Sequence, residues 1–563
     1  MPKYLITSAL PYINGIKHLG NLAGSLLPAD VYARFLRQDG EEVLFICATD
    51  EHGTPAELSA LKENLEIKDY CFQMHHKQAN IYEQFNLSFD YFGRSSSQQN
   101  HGLTKEIFLD LDKNGFIEEK EIKQVYSLTD QRFLPDRYVE GICPKCGYEA
   151  ARGDQCEYCT SVLDPTELIN PRSAVSKSTD LEIKSTKHLF LRLDKLSDDI
   201  KDWVLSHGHW PRLTTSIAMK WINEGLQSRC ITRDLKWGIS IPKEGFEEKV
   251  FYVWFDAPIE YIGATKEWAD ANPSERNWES WWVDANDVVY TQFMAKDNVP
   301  FHAVFFPGML LGTKRPWTQA TNIKSFNWLT YYGGKFSTSQ KRGVFMDQAL
   351  EILPADYWRY FLIAHSPESD DSSFTWETFA SVVNKDLVGT FGNIVNRTLK
   401  LTASKFGKAL PEGGGLGFRE KELHETCKQI MIQYRDALRN QEFRKAISYL
   451  RELWSQGNLY LDERVPWSLL HQDREEAAMV LRTTINLIRI FAIAASPIIP
   501  QTTEKVFQSL NLERKDYNMA FVDAVDLEYM KENHPFEVPD LLFKRIEEED
   551  LNAYKAKFAG DEA

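Results

Sequence analysis

The sequence predicts a doubly wound, Rossmann-like α/β unit that is interrupted by an insertion and followed by an all-α helical bundle. Three observations carry this reading. Residues 3 to 50 form a βαβ pattern: KYLITS is strand-like, apolar residues recur at helical spacing from Leu19 to Leu36, and EVLFICATD is a second strand. The pattern then pauses over a loop-rich, cysteine-bearing stretch and resumes as strand-like runs at VFYVWFDAP (250–258) and AVFFPGMLL (303–311). Beyond Ser373, apolar residues repeat every three or four positions up to Pro500, as packed helices require.

Bulk properties set limits on function. A chain of 563 residues exceeds one hydrophobic core and should divide into about three or four domains. A net charge of −16 argues against a general nucleic-acid coat but leaves room for a local basic face. A strand is expected within a few residues of Met1, which argues against a signal peptide. The apolar run IFAIAASPIIP is short and broken by Pro497, so it reads as a buried helix end and no membrane association is expected. Cys47, Cys71, Cys230 and Cys427 stand alone and read as reduced thiols.

Along the chain, Pro28 falls inside the first helical stretch and predicts a kink or restart there. Ahead of it, PYINGIKHLGN (11–21) ends a strand and opens a helix, whose free N–H groups and dipole favour phosphate. His18 can bond phosphoryl oxygens and Gly20 lets a base approach the backbone; a simple polar cap is the alternative. Asp50 ends the second strand, where a ligand ammonium could meet it. Two CxxC pairs, Cys143 with Cys146 and Cys156 with Cys159, offer four thiolates and no open coordination position, the pattern of structural zinc. Val253, Trp254, Ala257, Pro258 and Tyr261 could form an apolar wall with one polar tip, or simply core packing. In QFMAKDNVPFHAVFFPG, Lys296 and Asp297 are charges between apolar residues, and a lone His302 there reads first as a core residue. The closing FKRIEEEDLNAYKAKF reads as an exposed, charged helix.

In this order, HLGN, the four-cysteine knuckle, FYVWFDAP, AKDNVPFH, KFSTS and a helical region resemble the methionyl-tRNA synthetases, a family of class I aminoacyl-tRNA synthetases. The resemblance runs the length of the chain except the last dozen residues, and its spelling is similar to the eukaryotic and archaeal branch. It implies a ligase that activates L-methionine with ATP to methionyl-adenylate and transfers it to tRNA(Met), releasing AMP and pyrophosphate. His18 and Asn21 take the places of the two histidines of the HIGH motif. Leu10, Tyr12, Asp50, Val253, Trp254, Ala257, Pro258, Tyr261, Phe301, His302 and Phe306 match the methionine pocket, with Asp50 on the amino group. Gly20, Lys296 and Asp297 match the ATP site. Lys335, Ser337, Thr338 and Ser339 match the KMSKS loop, with threonine where its second lysine usually stands; Lys341 and Arg342 are expected to supply the displaced charge. Asn393, Arg397, Pro466 and Trp467 match the anticodon reader.

The family implies one structural zinc per chain, magnesium with ATP, a monomer without membrane contact, and a cytoplasmic setting. The expected division is a first catalytic half (1–115), a connective insertion with the knuckle (116–235), a second catalytic half (236–325), a loop and stem-contact region (326–372), an anticodon-binding bundle (373–550) and a tail (551–563). Thr338 favours one alternative, a non-catalytic tRNA-binding paralogue. A related nucleotidyltransferase is disfavoured by the Trp467 region.

Overall fold

A computed structural model describes residues 2–153, 156, 158–159, 161, 163–336 and 341–560. At its centre is a parallel sheet of five strands: β1 (Lys3–Ser8), β2 (Glu42–Thr49), β3 (Tyr91–Arg94), β4 (Val288–Ala295) and β5 (Asn322–Phe326). Their order is β5-β4-β1-β2-β3, every neighbour parallel. The strands are apolar on both faces because helices cover both, as parallel sheets require. The chain order reverses about β1, which opens a crevice at the carboxyl ends of β1, β2 and β4.

The expected helix after β1 is broken as Pro28 predicts. A short turn (Leu19–Asn21) and one wide π segment (Leu22–Leu26) precede α1 (Leu27–Gln38), which carries Pro28 in its first turn, where the missing N–H costs nothing. Two strand expectations are corrected. Only Val250–Phe251 of VFYVWFDAP is a strand, and Val253–Asp256 turns helical. AVFFPGMLL is helical throughout, within Phe301–Phe305 and Phe306–Gly312. That helix is closely packed where glycines face its neighbours: a Cβ on Gly308 would lie 2.9 Å from Ile200, and one on Gly312 2.6 Å from Leu111. Burial on nearly every side erases the polar stripe that separates helix from buried strand in sequence.

The insertion is built on two long antiparallel strands, Ile117–Ser127 and Leu181–Leu191. Short strands Val139–Ile142, Ala151–Arg152 and Ile169–Ser173 make a small sheet beside the cysteines. The helical region contains α2 (Asn393–Phe406), α3 (Phe418–Arg439), α4 (Phe443–Arg464) and α5 (Arg474–Ala495). By length and composition α5 could cross a membrane, but its apolar window lies wholly inside the bundle. The last helix, α6 (Glu548–Phe558), is not the fully exposed element expected, and it begins ahead of the boundary drawn at 551. Tyr554 and Phe558 lie 4.9 Å and 5.6 Å from Trp376, ring centre to ring centre. Their four-residue spacing gives a charged helix one apolar edge.

Candidate active site

A cavity of about 420 Å³ occupies the crevice. It is lined by Leu10 and Tyr12 after β1, Asp50 after β2, Ala295 and Asp297 at the end of β4, His18, Gly20 and Asn21 at the helix start, and Trp254, Trp328 and Lys335. Lys17, Asn298 and Trp328 had no site role in the sequence reading.

The HLGN turn is a reciprocal cap. His18 Nδ1 accepts the Gly20 N–H at 3.1 Å, and Asn21 Oδ1 accepts the His18 N–H at 3.2 Å. A Cβ on Gly20 would lie 2.9 Å from the imidazole, so this glycine makes room for His18. With Nδ1 accepting, the ring proton sits on Nε2. Burial, with the charge of Lys17, pushes the His18 pKa down to about 4, so the ring is a neutral donor at pH 7. It stacks on Phe336 at 4.6 Å. The turn is also tied to the segment beyond KFSTS, Leu19 N–H donating to the Val344 carbonyl and Met346 N–H to that of Lys17, at 3.1 and 2.9 Å.

Asp50 is 7% exposed, and its Oδ1 has no hydrogen-bond partner. Burial, then the nearby Asp256 and Glu51, hold its carboxyl well above the usual carboxylate range. Its backbone is zipped to the loop after β1 through Ile13 N–H on the Asp50 carbonyl (2.8 Å) and Asp50 N–H on that of Pro11 (3.0 Å). The Tyr12 hydroxyl donates to the His52 carbonyl and sits against Gly53, whose φ of +96° suits only glycine. Below lies a pair the sequence reading missed: His52 Nδ1 and Asp256 Oδ2, 2.7 Å apart and both buried. DEHG and WFDA each place an ionisable side chain beside an apolar run, but nothing in either names the other as its partner.

Of the expected methionine pocket, Leu10, Tyr12, Asp50 and Trp254 reach the open cavity. Val253, Ala257, Pro258, Tyr261, Phe301, His302 and Phe306 do not line it. Trp254 stacks on Phe301 at 3.7 Å, while Phe306 tilts toward Tyr261 at 6.3 Å. Tyr261 donates its hydroxyl proton to His302 Nε2 at 2.8 Å, and His302 Nδ1 donates to the Asn298 carbonyl at 2.9 Å. Burial pushes the His302 pKa to about 4, in keeping with a neutral ring.

Around the loop, Lys335 and Asp297 line the cavity, and Lys296 is paired with Asp371 at 2.7 Å. Arg342 is engaged elsewhere: it donates to the Tyr331 carbonyl at 3.0 Å and lies across Gly334. Lys341 is exposed. Ser337, Thr338 and Ser339 lie outside the described residues.

Away from the cavity, the Sγ atoms of Cys143, Cys146, Cys156 and Cys159 lie within 4.8 Å of one another, with Cys143–Cys159 at 3.8 Å and Cys146–Cys156 at 3.6 Å. A tetrahedral zinc with Zn–S bonds of about 2.3 Å places its sulfurs about 3.8 Å apart, so the four thiolates fit one ion. Lys145 and Cys159 N–H groups point at Cys143 and Cys156 Sγ. In the bundle, Arg397 lies 4.2 Å from the Trp467 ring centre and pairs with Asp462, while Asn393 is exposed and Pro466 buried. Val465, just before Pro466, is left-handed (φ 38°), unusual for a β-branched residue.

The doubly wound sheet, the insertion within it and the helical bundle after it have the architecture of a class I aminoacyl-tRNA synthetase. Residues 4–399 match the family model described as tRNA synthetases class I (M), and residues 410–563 match the anticodon binding domain of methionyl tRNA ligase. The chain belongs to the methionine–tRNA ligase family. It is 58% identical to methionine–tRNA ligase 1 of Acaryochloris marina over 99% of this chain and all of that one. It is 56% identical to the methionine–tRNA ligase of Streptomyces avermitilis over the whole of both. Its fold matches that of Mycobacterium tuberculosis methionyl-tRNA synthetase in complex with methionyl-adenylate, with a TM-score of 0.78 at 22% identity, covering 97% of this chain and all of the other. These relatives are bacterial, so the expected eukaryotic or archaeal branch finds no support among them. The activity is methionine activation by ATP followed by charging of tRNA.

Proposed function

We propose that methionyl-adenylate forms in this cavity, with Asp50 on the methionine ammonium and His18, Asn21, Lys335 and Asp297 around ATP. The observation that carries the reading is the orphaned Oδ1 of Asp50, a buried residue that lines the cavity holding the HLGN turn. A buried unsatisfied acceptor is costly, and a ligand ammonium relieves it. The apolar wall behind Trp254 suits a thioether side chain, with the Tyr261 hydroxyl tied to His302 within that wall. The methionine carboxylate attacks the α-phosphorus, the bond to the bridging oxygen breaks, and pyrophosphate leaves. His18 Nε2–H donates to phosphoryl oxygen without needing to ionise, the Asn21 amide and Gly20 support the nucleotide, and Lys296 and Lys335 meet the phosphates. Catalysis is then positioning and charge stabilisation. Magnesium comes with ATP as its counter-ion, and Asp297 is the wall carboxylate that would face it.

Trp467 and Pro466, with Asn393 and Arg397, would read the anticodon of tRNA(Met) by stacking and edge contacts. Zinc would fix the knuckle of the insertion. The division near 115, 235, 325 and 372 is kept as the partition of these tasks, in a cytoplasmic monomer, with α6 counted in the bundle it packs on. The test is methionine-dependent exchange of pyrophosphate into ATP. Exchange that ignores methionine, or none at all, would sink the reading.

A further inference from the structure

We propose that Trp328 is a positioning residue for the reaction, its indole holding Lys335 at the wall of the cavity and Lys296 beside it before ATP arrives; the inference rests on the ATP reading above. Trp328 follows β5, lines the cavity and is 38% exposed. Lys296 Nζ lies 4.4 Å from its ring centre and Lys335 Nζ 5.3 Å. The indole N–H donates to Asp297 Oδ1 at 3.2 Å. The backbone N–H donates to Asp371 Oδ1 at 2.8 Å, and the same oxygen accepts from Lys296 Nζ at 2.7 Å. One side chain therefore touches Lys296, Asp297 and Lys335, the charged residues assigned to ATP outside the HLGN turn.

The choice of an aromatic has a physical reason. Two ammonium groups brought together repel, and something must hold them. Asp371 already holds Lys296, and a second carboxylate between the two ammonium groups would neutralise the charge that phosphate needs and would itself repel the nucleotide. A ring face attracts cations weakly and carries no net charge. Triphosphate oxygens can then take Lys335 from the ring at little cost, while Lys296 must also leave Asp371. Lys335 lies over the ring face at the cavity wall. This matters more in a chain with threonine at the second lysine position of the loop, because Lys335 carries a larger share of the charge.

The experiment is methionine-dependent pyrophosphate exchange with ATP and methionine varied separately, for the full chain and for W328F and W328L. W328F keeps a ring face and loses the N–H to Asp297, whereas W328L keeps apolar bulk alone. We expect W328L to lower kcat/KM for ATP by about tenfold or more, with methionine KM within about twofold, and W328F to recover to within about threefold of the parent. Normal ATP kinetics in W328L, or W328F no better than W328L, overturns the assignment, as does an equal loss for methionine, which would mark a merely structural role. W328Q, polar and without a ring, carries the same outcomes should W328L fold poorly. A parent protein without exchange would overturn the site reading itself; a parent that exchanges beside a normal W328L overturns only Trp328.

Discussion

Asp50 concentrates the residue-scale chemistry, because burial and the acids around it make its charge expensive until a cation arrives. Asp50→Asn should therefore raise methionine KM by about tenfold or more while ATP KM moves far less, read by pyrophosphate exchange. The sign of the pH effect follows. A raised carboxyl pKa means a proton competes with the ammonium, so methionine affinity should fall as pH is lowered, and the Asp50→Asn variant should flatten that dependence. His18, with its pKa near 4, should add no inflection near neutrality. A second buried acid gives a stability test. Both oxygens of Glu260 lack donors, and Glu260 and Glu267 crowd the same glycine, at 2.7 and 2.9 Å from a Cβ placed on Gly93. Burial, then the charge of Glu267, holds Glu260 well above its usual range and favours its protonated form. The stability this gives is complete below the unfolded glutamate pKa and is lost as pH rises through the folded one. Glu260→Gln should thus gain in Tm over the parent as pH rises above about 4.5, with the gap closing in acid; a constant gap would rule out the raised carboxyl. His18 and Asp50 were legible as cavity residues because the turn after β1 and the end of β2 fall at the carboxyl ends of a βαβ unit, where ligands bind. Glu260 and the His52–Asp256 pair were not, since their meaning depends on partners far away in sequence.

At the scale of elements, the insertion is fastened to the loop that carries Asp50. Glu57, in the helix after Gly53, accepts from the Tyr138 hydroxyl, from Arg132 at 3.4 Å and from the Trp237 N–H at 3.1 Å, while the Trp237 indole donates to the Glu51 carbonyl at 2.6 Å. The knuckle sheet has a small core of its own, so metal should be needed to hold it. Cys146→Ala should release zinc, measured by elemental analysis, and increase proteolysis of the insertion; fully active protein with no metal would refute this. The cation loop yields a sharper split than composition suggested. Lys335→Ala should slow adenylate formation by about tenfold or more. Arg342→Ala, which removes a bond to the Tyr331 carbonyl, should lower Tm more than it lowers the rate, and the reverse result would restore Arg342 as the displaced charge. Sequence pattern located β1, α1 and β2 because amphipathic or strand-length runs end there at glycine and polar caps. It misassigned 303–311 because burial on nearly all sides leaves no period to read, and pairing between β4 and β1 joins residues nearly three hundred apart.

Over the whole molecule, the bundle and the sheet are joined by buried polar contacts rather than by a loose linker. Arg359 is fully buried and donates to Asp30 of α1 at 2.7 Å, to the carbonyls of Pro497 and Ile498 at 2.9 and 2.8 Å, and to that of Phe85 at 3.0 Å. Arg435 and Arg439 of α3 both reach Asp39 at the end of α1. A junction of this kind fixes where Trp467 stands relative to the cavity without making the chemistry depend on it. Removing a stacked base contact is worth about 1–3 kcal/mol, so Trp467→Ala should cut tRNA charging by about tenfold while leaving pyrophosphate exchange within about twofold. Arg397 rests on the same ring, so Arg397→Ala should be strongly non-additive with it, the double variant costing little more than the worse single one. Charging assays on the four proteins, with exchange measured in parallel, test both claims. Equal losses in exchange and charging would make Trp467 a packing residue whose removal loosens the bundle and, through Arg359, the sheet itself.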